Sequence, residues 1–223
     1  ISGFTYEITV TTYVKESSPA DRPNLEVFWG DGTTIDSIPR TSSTSLGNDI
    51  AKNIYIENHT YPGSSPIPYL IRVEDPNRNA GIMNIPNSVN VVFYIESSLI
   101  INPFVGINNS PVLLNPPIDN ACVGKLYVHN PGAWDVDGDS LYYSIQPSKQ
   151  TNGDPIPGYT LPPASNYLSV NSVTGDLIWD SPLAIGEYNV AIRIDEYRSG
   201  IKIGSILRDM QITVTSCSNN PPI

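Results

Sequence analysis

FTYEITVTTYV, residues 4 to 14, sets Phe4, Tyr6, Ile8, Val10 and Thr12 on one side of the chain and Thr5, Glu7, Thr9 and Thr11 on the other. Strict two-residue alternation is the period of a half-buried β-strand, and a helix with this pattern would scatter its apolar residues around its circumference. Strand signals return at 67–74 (IPYLIRVE), 88–96 (SVNVVFYIE), 140–146 (SLYYSIQ), 176–180 (DLIWD), 187–194 (EYNVAIRI) and 206–215 (ILRDMQITVT). LEVFW runs into GDGT, where an Asp-Gly turn after apolar residues predicts a hairpin. Only residues 41–54 suggest a helical turn. With 21 Pro and 16 Gly in 223 residues, and 13 Tyr against 2 Met, the composition favours short strands and turns over helices. The expectation is an all-β fold of tandem β-sandwiches.

At 223 residues the chain is long enough for two domains of about 100 residues each. YLIRVEDPNRNAGI (69–82) and YNVAIRIDEYRSGI (188–201) each run from Tyr through a strand to Asp, Arg and Gly-Ile, so one corner is built twice. Tyr69 and Tyr188 suit the tyrosine that locks such a corner in immunoglobulin-like sandwiches, with ordinary strand aromatics as the alternative. Asn108-Asn109-Ser-Pro and Asn219-Asn220-Pro-Pro both read as boundaries, because Pro fixes φ and lacks a donor. The expected domains are 1–107 and 108–223, with a longer parent protein continuing past Ile223.

Twenty-two acidic against twelve basic residues give a net charge of −10, which lacks the basic footprint that nucleic acid or an anionic lipid surface attracts. No apolar run reaches the length of a membrane-spanning helix. The two cysteines, Cys122 and Cys217, lie near the two ends of the second segment, and an even count in such a chain favours a disulfide, with two buried thiols as the alternative.

AWDVDGDSLYYSI places Asp135, Asp137 and Asp139 at alternate positions. At about 6 Å each pair of carboxylates repels by roughly 0.7 to 3 kcal/mol, depending on the effective dielectric, so the cluster favours a cation. Calcium, which takes six to eight oxygens in irregular loops, is the natural one. An EF-hand is excluded: with Asp135 at position 1, the required Gly falls on Ser140 and the bidentate Glu on Gln146. An Asp-Gly turn in a solvated loop is the competing reading.

No nucleophile elbow, metalloprotease helix or phosphate-binding Gly loop is present, and the two histidines, His59 and His129, sit in turn-like contexts. The expectation is no enzyme. Asp31 and Gly32 read as turn formers and Trp29 as core. Tyr142, Tyr143, Tyr159, Tyr167 and Tyr197 supply aromatics for a carbohydrate-binding alternative, although alternation turns one of Tyr142 and Tyr143 inward.

VFWGDGT and HTYPGSSPIPYLIRVED (27–33 and 59–75) make the first segment resemble a PKD domain, with His59 as its structural histidine; SPIPY stands where the family has Gly before the tyrosine strand. NNSPVLL, AWDVDGDSLYYSI, VNSVTGDLIWDSP and GEYNVAIRIDEYRSG make the second resemble the cadherin-like and dystroglycan-type immunoglobulin-fold modules of bacterial surface proteins. Together with DPNRNAGIMNIPNSV and RDMQITV they resemble the large gliding-motility-associated, type IX-secreted adhesins. The resemblance implies calcium at the domain junction, held by Asp135, Asp137 and Asp139 with Asp195 from the later loop and Asn109 from the linker; Glu196 and Asp119 are looser candidates. The linker departs from the family in carrying Asn-Asn-Ser-Pro where two aspartates would stand. Asp-Ser-Ile (36–38) matches the O-glycosylation acceptor of such proteins and would mark Ser37. The implied function is a non-catalytic structural or adhesive segment of a secreted or cell-surface protein, with calcium stiffening the junction. Its partners would be neighbouring domains of the parent and a surface polysaccharide or another surface protein; the alternative is a carbohydrate-binding module.

Overall fold

Alternation and turn chemistry produce fifteen strands among the described residues of a computed structural model, which cover 3–33 and 36–217. In the first half these are β1 (Thr5–Lys15), β2 (Asn24–Phe28), β3 (Asp36–Gly47), β4 (Ile50–Thr60), β5 (Tyr69–Asp75) and β6 (Phe93–Leu99). In the second they are β7 (Val112–Leu113), β8 (Ile118–Cys122), β9 (Leu126–His129), β10 (Ala133–Trp134), β11 (Ser140–Gln146), β12 (Leu168–Val170), β13 (Leu177–Asp180), β14 (Gly186–Arg198) and β15 (Ile201–Thr215). The only helical turns described are two three-residue 3-10 segments, so the fold is all-β and immunoglobulin-like.

The first sandwich is folded around β3. Its start pairs with β2, and beyond a bulge at Arg40–Ser42 its remainder pairs with β4, which pairs in turn with β1. Facing side chains of the two layers, among them Val10, Val27, Trp29, Tyr55, Tyr61, Ile71 and Leu99, make one core. Trp29 is 1% exposed, stacks on His59 with ring centroids 4.3 Å apart and donates its Nε1–H to Asp36 at 2.7 Å. Residues 41–54 correct the expected helical turn: they are the β3–β4 hairpin, closed by Asn48 and Asp49 at φ 52° and 62°. Positive φ at both central positions is the two-residue hairpin turn that matches strand twist. Residues 88–90, expected as strand, form one of the 3-10 turns.

In the second sandwich β11, β14 and β15 form one layer, with β8 added parallel to β15, and β12, β13 and β9 form the other. Its core draws on Tyr143, Leu177, Trp179, Tyr188, Val190, Ile192, Met210 and Ile212. Tyr143 is 5% exposed and Tyr142 is 47% exposed, as alternation requires. A disulfide joins Cys122 to Cys217, 95 residues apart, and pins β8 to the end of β15. Both corner tyrosines donate to backbone carbonyls just upstream, Tyr69 to Gly63 at 2.9 Å and Tyr188 to Ala184 at 3.1 Å.

The two cores fall on either side of residue 107, but the sheet does not stop there. Glu96 to Leu99 of β6 pair with Gly204 to Leu207 of β15, so a single sheet runs β3-β2-β5-β6-β15-β14-β11 through both sandwiches. Two loops strap this seam. The β5–β6 loop reaches over the second sandwich, where Arg78 forms a two-pronged ion pair with Asp209, both side chains 2% exposed, with each N···O distance 2.9 Å. Asn189 also donates to Asp209, and Asn84 donates to the Asn189 carbonyl at 2.8 Å. The β11–β12 loop reaches back, with Lys149 on Glu96 at 2.6 Å and Ile156 packed among Ile82, Ile85 and Val91.

Candidate functional site

The β10–β11 loop carries the three aspartates to the edge of the second sandwich, beside the linker that leaves the first. Each aspartate has a different task. Asp135 is buried; its Oδ1 accepts the backbone N–H groups of Asp137 and Asp139 at 2.9 and 3.0 Å, which folds the loop around it. Asp137 is exposed and accepts the Asn109 backbone N–H at 2.7 Å, with the Asn109 Nδ2 at 3.1 and 3.2 Å from its two oxygens. Asp139 receives both prongs of Arg198, at 2.8 and 2.6 Å. One oxygen from each of the three lies within 4.8 Å of the others.

Strand geometry decides which acids join them. Successive residues of β14 face opposite sides of the sheet. Asp195 therefore lies on the far face, paired with Lys202 at 2.7 Å and Arg193 at 3.2 Å, and is not among the clustered carboxylates. Glu196, 0% exposed, and Arg198 lie on the near face with the aspartates. A cross-strand glycine makes room for Glu196: a Cβ on Gly204 would stand 2.7 Å from its Oε1. The Glu196 Oε2 accepts Asn108 Nδ2 at 2.6 Å. Burial first, then the charges of Asp135, Asp139 and Asp137, push the Glu196 carboxyl up to about 7, against the opposing Asn108 hydrogen bond.

The donor set fits a hard cation. Three aspartates cluster against the Arg198 guanidinium, with the buried Glu196 carboxyl near enough to feel their charges though outside the 4.8 Å group, and two oxygens, Asp135 Oδ2 and Glu196 Oε1, are buried without a hydrogen-bond partner. Asn109 does not fit the ligand role: it turns its N–H donors, rather than its amide oxygen, toward Asp137.

The remaining candidates lie elsewhere. Asp119 accepts Tyr127 Oη at 2.9 Å and His129 Nδ1 at 3.0 Å, and His129 Nε2 stands 3.4 Å from the buried Arg208, so a neutral imidazole bridges a carboxylate and a guanidinium. A cavity of about 310 Å³ opens beside this group, lined by Asn115, Asp119, His129 and Asn130. The histidines correct the expected turn contexts, since His59 lies in β4 and His129 ends β9; His59 binds Asp31 of the GDGT loop at 2.8 Å, and Asp31 also accepts the Thr33 N–H, which makes Asp31 the turn-former. Ser37 is exposed on β3. The exposed aromatics Trp134 and Tyr142 and the ring of Tyr167 come from β10, β11 and the segment before β12. The Asn219–Ile223 boundary lies outside the described residues.

No family model matches the chain, and no curated protein matches it. Similar solved structures include "Tandem Ig repeats of Dlar", 12% identical with a TM-score of 0.30 over 96% of this chain and 98% of that one. Another is "Crystal structure of Dscam1 isoform 6.44, N-terminal four Ig domains", 10% identical with a TM-score of 0.26 over 95% of this chain and 73% of that one. At these scores neither likeness carries a statement about this chain.

Proposed function

We propose that this chain is a non-catalytic structural segment of a secreted or cell-surface adhesive protein, a stiff spacer in which PKD-like and cadherin-like sandwiches act as one body. The observation that carries this reading is the β6–β15 ladder, which makes one sheet of two sandwiches and is clamped by the buried Arg78–Asp209 pair. A spacer that transmits position or tension needs a junction that does not bend, and a shared sheet supplies one. The Cys122–Cys217 disulfide supports an oxidising, extracellular setting. Calorimetry tests the reading: the account expects one cooperative unfolding transition with calorimetric and van't Hoff enthalpies in agreement, whereas two separated transitions would mean independent modules.

Calcium completes the proposal. Asp135, Asp137, Asp139 and Glu196 would hold it, with Glu196 taking the place that the resemblance gave to Asp195. The charge balance and the two unpartnered buried oxygens support this assignment. A ligand that binds the native state alone stabilises it by about 2.7 kcal/mol at one hundred times its Kd, so calcium should raise the unfolding temperature of the parent chain and not that of Asp135→Asn/Glu196→Gln. Equal unfolding temperatures with calcium and with chelator would remove the metal from the account.

A further inference from the structure

The linker is held by contacts of its own, and only the calcium-affinity arm of the test below rests on the calcium reading of the cluster. Arg198 spends its donors in two directions at once. Toward the cluster it reaches both Asp139 oxygens, at 2.8 and 2.6 Å, and Asp137 at 3.2 Å. Toward the linker it reaches the Val105 carbonyl at 2.8 Å, the Ile107 carbonyl at 2.9 Å and the Asn108 side-chain oxygen at 3.1 Å. Asn108 is thereby oriented, oxygen to Arg198 and nitrogen to Glu196, and Asn109 is tied to Asp137. Three linker acceptors and two carboxylates converge on one planar fork, a geometry that only guanidinium can satisfy.

We propose that Arg198 is a latch: a built-in cation that holds linker residues 105–109 on the second sandwich, so that the junction is set with or without a bound metal ion. In this role Arg198 is a positioning residue, not a calcium ligand, and its charge opposes the metal. That opposition makes the proposal separable from a simple structural one. Removing the charge should loosen the linker and at the same time strengthen the attraction of the clustered carboxylates for calcium.

The experiment compares the parent chain with Arg198→Gln and Arg198→Lys, each checked for native near-ultraviolet dichroism, by hydrogen exchange in chelator and by calorimetric titration with calcium chloride. In chelator, amides of residues 105–109 should exchange about tenfold or more faster in both variants than in the parent. Calcium affinity should rise roughly tenfold in Arg198→Gln, where a unit charge near the ion is lost, and stay close to the parent's in Arg198→Lys, which keeps the charge and loses the fork. Unchanged linker exchange in both variants would overturn the latch, as would a fall in calcium affinity in Arg198→Gln. If no protein bound calcium while both substitutions still loosened the linker, the latch would stand and the calcium reading would fall.

Discussion

Burial and three neighbouring aspartates hold the Glu196 carboxyl near 7, well above its unfolded value of 4.5. A raised carboxyl stabilises the fold fully below pH 4.5 and loses that contribution as pH rises through about 7. In chelator, Glu196→Gln should therefore gain on the parent, by on the order of 3 kcal/mol, between pH 4 and pH 8. Chemical denaturation across that range measures it, and a pH-independent difference would mean that Glu196 ionises freely. His129 has the opposite sign. Burial, aided by Arg208, holds its pKa below the usual 6.5 despite the Asp119 hydrogen bond, so its contribution is present above pH 6.5 and is lost as pH falls below it. His129→Gln should flatten that acid limb of the stability curve, read in the same titration. The three clustered aspartates were legible in DVDGD, where Glu196 was only a looser candidate, but that Glu196 rather than Asp195 lies on their side of β14 was not. A one-residue step along a strand reverses its face, and the sequence fixes neither the register of β14 against β15 nor the room that Gly204 leaves.

Strands with uninterrupted alternation, β1, β5 and β11, could be read from their residues alone because one face of each is more buried than the other; β14, buried on both faces, was legible from its run of β-branched and aromatic residues. The β3–β4 hairpin could not, since RTSSTSL is exposed nearly throughout and carries no apolar period; its signal was the Gly-Asn-Asp turn. Glycine at position 30 has a stricter reason to be there. Its φ is 81°, and a Cβ would overlap the backbone of Leu70. Gly30→Ala should cost about 1 to 3 kcal/mol or more, because strained backbone and steric overlap add. The corner hydroxyls are worth less: Tyr69→Phe and Tyr188→Phe should each lose about 1 kcal/mol in denaturant unfolding. A loss of several kcal/mol would mean that the rings, not the hydroxyls, had moved.

At the scale of the molecule, each sandwich could be expected from its strands and turns, whereas their union could not. β6 and β15 are separated by about a hundred residues, and nothing in FYIESSL or ILRDMQITVT announces which edge meets which. Arg78 and Asp209 were likewise silent, one lying in a loop and the other in a strand of the other half. Breaking this buried pair one side at a time, as in Asp209→Ala, should cost about 3 to 5 kcal/mol, because it strands an uncompensated guanidinium; the double variant Arg78→Met/Asp209→Leu should recover much of that loss. The most direct measurement of the shared body is the distance distribution between spin labels at Thr44 and Val173, exposed positions on different sandwiches. A single narrow distribution, unchanged by chelator, is the expected result. A broad distribution, or one that narrows only when calcium is added, would contradict a junction held by its own sheet.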